Sequence, residues 1–444
     1  MMKLNWFSPL LPASTDIAHY TKRVLPALSK RAEVVLWTDR EDWDSSIEEF
    51  AQVRRYTPER VDWAELNRAD VNIYQIGNNP LFHGSIWQVA RKSPGIVVLH
   101  DFRLHHFFDG LYRVEWRDLR GYLQEMQSYY GEEGRRDGEE CFRSDARNID
   151  EMTERYPLTQ LALRGALGCV VHTRAAFEEL KDESNCPMVY APLPFETRGR
   201  EKVEPRLVDD EKRAIEPPFR LIIFGYLGRN RRLDAVLKAL AEFPEREKFR
   251  LDIYGQLLDN KSLRGPIRAL GLKRLVQVHG FVPEEELETA LSRSHLAINL
   301  RYPTMGEASG SQLRIWSHAL PSLVSQVGWY ATLPANAVSF VRSEHEVEDI
   351  QKCLREFLND PQHFMQMGLR GRRILEEEHA PENYAQTLID VVHNAQSFRT
   401  HSAANKLARR AGALLGAWHT AKPDDATLRH IATEILKLSV VRSP

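Results

Sequence analysis

The run Tyr302-Pro303-Thr304-Met305-Gly306-Glu307-Ala308-Ser309-Gly310-Ser311-Gln312-Leu313-Arg314 sets four small residues, Ala308 to Ser311, where an extended segment gives way to a helical pattern. The first N–H groups of a helix have no partner within it, and small side chains leave them open to an anion such as a diphosphate. Glu307, just before the turn, suits hydrogen bonding to sugar hydroxyls beside that phosphate. The same residues also suit a helix capped by Ser309 with Glu307 facing water. A second stretch, Phe224-Gly225-Tyr226-Leu227-Gly228-Arg229-Asn230-Arg231-Arg232, again follows an apolar run. Its glycines admit close backbone approach, and Arg229, Arg231 and Arg232 offer fixed positive charge to a leaving diphosphate, or are simply solvated. His100-Asp101 ends a third apolar run, where it can contact a sugar or align an acceptor hydroxyl, or serve only as a packed histidine beside a capping aspartate. His105 and His106 are weaker candidates. The loop 8–20 turns into a helix with Ser14, Thr15 or Asp16 as capping residue, and its place after the first strand sets these three at the cleft mouth, on the acceptor side with His100 and Asp101.

These stretches need strands that stop and helices that start at the right places, and the sequence supplies them. Short β-rich runs at 3–7, 33–38, 71–75, 95–100, 168–172 and 188–191 alternate with helical patterns such as 18–28, 85–92 and 174–180. Such alternation predicts βα units and a parallel sheet. The rhythm resumes with strands at 220–224, 250–254, 276–279, 296–299, 322–325 and 339–341. The expected organisation is an α/β fold of two Rossmann-like, doubly wound domains facing a cleft. The first spans 1–200 with a helical insertion at about 107–155, the second spans 217–382, and helices fill 383–444. Dense charge and three prolines across 198–218 mark a hinge. Open α/β sheets bind ligands outside the carboxyl ends of their strands, where both glycine-bearing turns fall.

Composition narrows the classes. With 444 residues, 43% hydrophobic, 27% charged and a formal net charge of −2, the chain reads as globular and not as a dedicated nucleic-acid binder. No run reaches the roughly 18 apolar residues of a membrane span, and the opening segment reads as a first strand and not a secretory signal. Cys141, Cys169, Cys186 and Cys353 lack metal or redox spacing, so reduced thiols in the cytoplasm are expected, with no metal and no cofactor. In the tail, Leu407, Ala411, Leu414, Leu415 and Trp418 share a helical face beside Lys406, Arg409 and Arg410. That stripe suits packing on the protein itself or peripheral contact with the inner face of the cytoplasmic membrane.

Taken in order, Ile17-Ala18-His19-Tyr20 after the proline-containing loop, Leu99-His100-Asp101, Phe224-Gly225 with Arg231-Arg232, Asp252-Ile253-Tyr254-Gly255, His279-Gly280-Phe281-Val282 and Gly306-Glu307-Ala308-Ser309-Gly310-Ser311 resemble glycosyltransferase family 4 over residues 1–392. The resemblance implies the GT-B fold and transfer of a hexose-type sugar, with retention, from a nucleotide-diphosphate-sugar to a glycan or lipid-linked acceptor. It implies a setting in surface polysaccharide or lipopolysaccharide biosynthesis. It also implies roles: Arg231 on the diphosphate with Arg229 or Arg232 assisting, Glu307 on the donor sugar, and the amides from Ser309 to Ser311 on phosphate. Gly280, Phe281 and Val282 would lie near the base with Tyr254, and His100 would reach the transferred sugar.

Two departures stand out. Ile315 occupies the place where many relatives carry a second glutamate that meets the ribose, and Asp16 stands where relatives often have glycine. Rival readings are a nucleotide-sugar epimerase or phosphorylase of the same fold, and a catalytically silent sugar-nucleotide-binding protein.

Overall fold

A computed structural model describes residues 1–144, 149–184, 186–196, 216–257, 263–417 and 424–439. The expected hinge at 198–218 lies almost wholly outside them. The chain divides into two compact units, Met1–Pro192 with Pro381–Pro444, and Leu193–Ala380.

The first unit holds a seven-stranded sheet built from β1 (Lys3–Phe7), β2 (Glu33–Thr38), β3 (Gln52–Arg55), β4 (Val71–Ile76), β5 (Ile96–Leu99), β6 (Gly168–Val171) and β7 (Met188–Tyr190). The spatial order is β3-β2-β1-β4-β5-β6-β7, with every pairing parallel. Helices on both faces bury such strands, which explains runs as apolar as Ile96-Val97-Val98-Leu99. β3 was not anticipated. Its sequence Gln-Val-Arg-Arg lacks an apolar run because it sits at the sheet edge, where charged side chains discourage further pairing.

The second unit repeats the scheme with β8 (Phe219–Leu227), β9 (Phe249–Leu257), β10 (Val276–Gly280), β11 (Leu296–Asn299), β12 (Ser322–Ser325) and β13 (Ser339–Val341), ordered β10-β9-β8-β11-β12-β13 and wholly parallel. β8 and β9 run beyond their expected ends. Gly225 and Gly255 face each other in register at φ +113° and +125°, and a Cβ on Gly255 would lie 1.9 Å from the Gly225 carbonyl oxygen. Only glycine permits that approach, so the ladder continues through residues that read as a break.

In both units strand order reverses direction once, between β1 and β4 and between β8 and β11. The loops leaving those strands form the switch points of open α/β sheets. The helix Pro381–Ala417 belongs to the first unit, where Tyr384 joins hydroxyls with Tyr20 and Ala385, Leu388 and Val392 are fully buried. The insertion forms the helices His105–Asp109, Leu119–Ser144 and Ile149–Arg155, with Gly131 at φ +67° breaking the long one.

Candidate functional site

At the second unit's switch point, the short 3₁₀ turn Arg229–Arg231 leaves β8 and turns Arg231 back toward the sheet. Arg231 is 4% exposed. Its guanidinium donates to Asn299 Oδ1 at 2.8 Å, to the Phe224 carbonyl at 2.9 Å and to Ser311 Oγ at 3.4 Å. Gly225 makes room for it, since a Cβ there would lie 2.9 Å from the guanidinium. Asn299 ends β11 and passes the chain on, donating to Gln312 Oε1 at 3.1 Å, while Gln312 Nε2 donates to Ser322 Oγ at 2.8 Å. This buried amide relay pins the start of the helix Gly310–Ser317 to β11 and β12, and Ser309 caps it by accepting from Gln312 N at 3.1 Å. A fixed cation and the positive end of a helix dipole thus sit side by side.

Glu307 lies on the same loop and is held by it. Its Oε2 accepts from Thr304 Oγ1 at 2.9 Å and from Met305 N at 2.8 Å, and its Oε1 pairs with Arg301 at 3.0 Å. The two loops are joined, because Tyr302 N donates to the Asn230 carbonyl at 2.8 Å. Arg231, Gly225, Ser309, Gly310, Ser311, Ala308 and Glu307 therefore belong to one locality. Arg232, at φ +55°, is held by Glu346 through three contacts of 2.7–2.9 Å, Glu346 being 7% exposed, and its guanidinium lies 6.0 Å from the Tyr302 ring centroid. Arg229 is exposed.

Beside this, the Tyr254 and His279 rings stack with centroids 4.1 Å apart, and His279 Nε2 is 2.8 Å from Asp252 Oδ1. Burial pushes the Tyr254 hydroxyl above its ordinary pKa. Gly280 adopts φ +76°, Phe281 is 76% exposed, and Val282 packs on the apolar cluster that holds Phe224, Tyr254 and Ile315. Ile315 is thus a core residue.

The first unit carries a separate group at its own switch point. Thr15 caps the helix Asp16–Leu28, while Ser14 and Asp16 are exposed. Asp101 accepts from Asn78 N at 2.7 Å, and His100, just past β5, has Nε2 2.8 Å from Gln75 Oε1. Tyr20 and His172 pack against His100 at 4.7 and 5.1 Å. His105 is a core residue, bonded to the Tyr156 carbonyl and the Tyr122 hydroxyl, and His106 meets Asp150. Among the described residues no group of three or more His, Cys, Asp or Glu could hold a metal ion.

Asn299, Gln312, Arg301 and Gln75 were missed from sequence. Asn299 and Gln75 had a signal, each being a polar residue in a fully buried strand, which costs stability unless paired.

Residues 207–374 match the family model described as glycosyl transferases group 1. Comparison with curated protein sequences gives no match. Among solved structures, Anabaena HepE in complex with UDP is similar at TM-score 0.59 and 13% identity, covering 88% of this chain and 100% of that one. The sucrose-phosphate synthase of Thermosynechococcus elongatus is similar at TM-score 0.62 and 14% identity, covering 88% and 98%. WaaG, a glycosyltransferase involved in lipopolysaccharide biosynthesis, is similar at TM-score 0.52 and 14% identity, covering 87% and 99%. The chain therefore has the GT-B fold, and a segment spanning most of its second unit is similar to the group 1 glycosyl transferases.

Proposed function

We propose that the chain is a glycosyltransferase of family 4 type that transfers a hexose-type sugar from a nucleotide-diphosphate-sugar to a glycan or lipid-linked acceptor, with retention, in surface polysaccharide or lipopolysaccharide biosynthesis. One observation carries the reading: the buried Arg231 guanidinium lies within 3.4 Å of Ser311 Oγ, at the N-terminus of the helix Gly310–Ser317. As the bond from the anomeric carbon to the phosphate oxygen breaks, negative charge grows on the diphosphate and the sugar becomes cation-like. A cation and helix amides fixed beforehand stabilise that charge without reorganising. Glu307 shapes the loop and turns its remaining acceptor capacity toward sugar hydroxyls. Retention follows from same-face attack, with the leaving phosphate taking the acceptor's proton.

HepE was crystallised with UDP and with UDP-glucose, which supports a nucleoside diphosphate donor here. The proposed location is the cytoplasm, with the tail resting on the inner membrane face. Leu407 and Leu414 are 45% and 59% exposed beside exposed Lys406 and Arg410, while no described helix is long and apolar enough to cross a membrane. The side chains of Arg409, Leu415 and Trp418 lie outside the described residues.

A thermal-shift panel of UDP-, GDP-, dTDP- and ADP-sugars tests the donor, because a ligand bound to the native state raises its melting point. One donor class should raise it, and no shift with any would remove the reading. The burial of Ile315 in an apolar cluster favours a second reading, a silent sugar-nucleotide-binding protein. It would bind donor yet release no nucleoside diphosphate when acceptor is added.

A further inference from the structure

Gln75 is a polar residue in the middle of a buried parallel sheet, with no exposed surface. Its backbone carbonyl accepts from His83 Nδ1 at 2.9 Å, its side-chain Oε1 lies 2.8 Å from His100 Nε2, and its side-chain Nε2 is buried with no hydrogen-bond partner. Leaving an amide donor unsatisfied in a sheet interior costs stability. A leucine of similar size would avoid that cost, so the carboxamide is retained at the expense of packing energy.

The ring it meets is neutral. Burial first, then the neighbouring His172 and His83 rings, hold the His100 imidazole well below its ordinary pKa. Tyr20 packs edge-on against it, Tyr384 packs against Tyr20 and His172, and both tyrosines are kept protonated by burial. Asp101, the next residue, is turned to Asn78 N. A neutral imidazole carries one proton, and the nitrogen facing a carbonyl oxygen carries it. That places the proton on Nε2, and no described side chain hydrogen-bonds the lone pair left on Nδ1.

We propose that Gln75 is a positioning residue that fixes His100 as the Nε2–H tautomer, so that Nδ1 accepts a hydrogen bond from a substrate hydroxyl. The site then selects a ligand with a hydroxyl to donate at that point and rejects one with only an acceptor. This rests on the transferase reading for its consequence in turnover, but the tautomer itself does not.

Two variants test it, Gln75→Leu and Gln75→Glu, with histidine ¹⁵N-labelled and the His100 signals assigned by their loss in His100→Asn. In the native protein and in Gln75→Glu, long-range nitrogen–proton spectra should show Nε2 protonated and Nδ1 bare. In Gln75→Leu the pattern should move toward the other tautomer. An Nδ1–H signature in the native protein, or an unchanged pattern in Gln75→Leu, overturns the proposal. The pH profile gives a second readout. A carboxylate at position 75 favours the imidazolium, which has no acceptor nitrogen, so kcat/KM of Gln75→Glu should fall about tenfold for each pH unit below its raised pKa, while the native profile stays flat there. A Gln75→Glu profile superimposable on the native one also overturns it. If no donor yields product at all, the transferase reading fails, and the spectra still decide the role of Gln75.

Discussion

Replacing Arg231 with methionine removes a charge while keeping much of the side-chain volume. Two consequences can be worked separately. Within the protein, the Phe224 carbonyl and Asn299 Oδ1 lose a donor at 2.9 and 2.8 Å in a buried setting. Unsatisfied buried acceptors cost about 1 kcal/mol or more each. The variant should therefore lose roughly 2 kcal/mol, lowering the melting point by roughly 6 °C in a unit of this size. Toward the donor, one charge-assisted hydrogen bond to a diphosphate is worth about 1.5 to 3 kcal/mol, or about ten- to a hundredfold in Kd. Isothermal titration at a temperature where both proteins are folded separates the two. The nucleoside monophosphate serves as control, since it lacks the distal phosphate. The variant should lose affinity for the diphosphate and little for the monophosphate. A folded Arg231→Met protein that binds the diphosphate sugar as tightly as the native chain would refute the assignment of this guanidinium.

Other outcomes follow from the same geometry. Glu346→Ala leaves Arg232 without its carboxylate in a part-buried setting, and with one partner a third exposed the loss should be about 1 to 2 kcal/mol in stability; calorimetric melting measures it, with donor affinity unchanged because Arg231 keeps its bonds to Asn299 and the Phe224 carbonyl. Burial holds His83 and His105 at a pKa of about 4 in the folded chain, below the ordinary 6.5. The unfolded chain then binds more protons between those values, so their stabilisation is present above pH 6.5 and lost as pH falls toward 4, by roughly 3 kcal/mol for each ring. Melting at pH 7.5 and pH 5 should show the drop, and His83→Asn should reduce it. Deleting the residues beyond Ser402 should abolish sedimentation with anionic liposomes but leave donor binding intact; sedimentation equal to that of the full chain would remove the tail from the membrane.

Much of this was legible in the sequence because the relevant physics is local. An apolar run between turn residues names a parallel strand, and Ser309 three residues before Gln312 names a helix start. The two glycine-bearing turns were expected to converge because both leave carboxyl ends of strands in one sheet, and the bonds from Tyr302 N to the Asn230 carbonyl and from Arg231 to Ser311 Oγ join them. What escaped notice depends on neighbours distant in sequence. Glu307 looked like an open carboxylate until Arg301, Thr304 and Met305 closed on it. Arg232 was expected to assist Arg231, yet from a left-handed backbone it pairs with Glu346, 114 residues away. Gln75 and Asn299 drew no attention as polar residues of buried strands, yet they meet His100 and Arg231 at 2.8 Å each. β3 was invisible because edge strands do not need apolar runs.

The most direct measurement is a crystal structure of the chain with its best nucleotide-diphosphate-sugar. The diphosphate should lie within hydrogen-bonding distance of the Arg231 guanidinium and of the amides that open the helix Gly310–Ser317, with the sugar beside Glu307. Phosphates bound away from both loops would contradict the account.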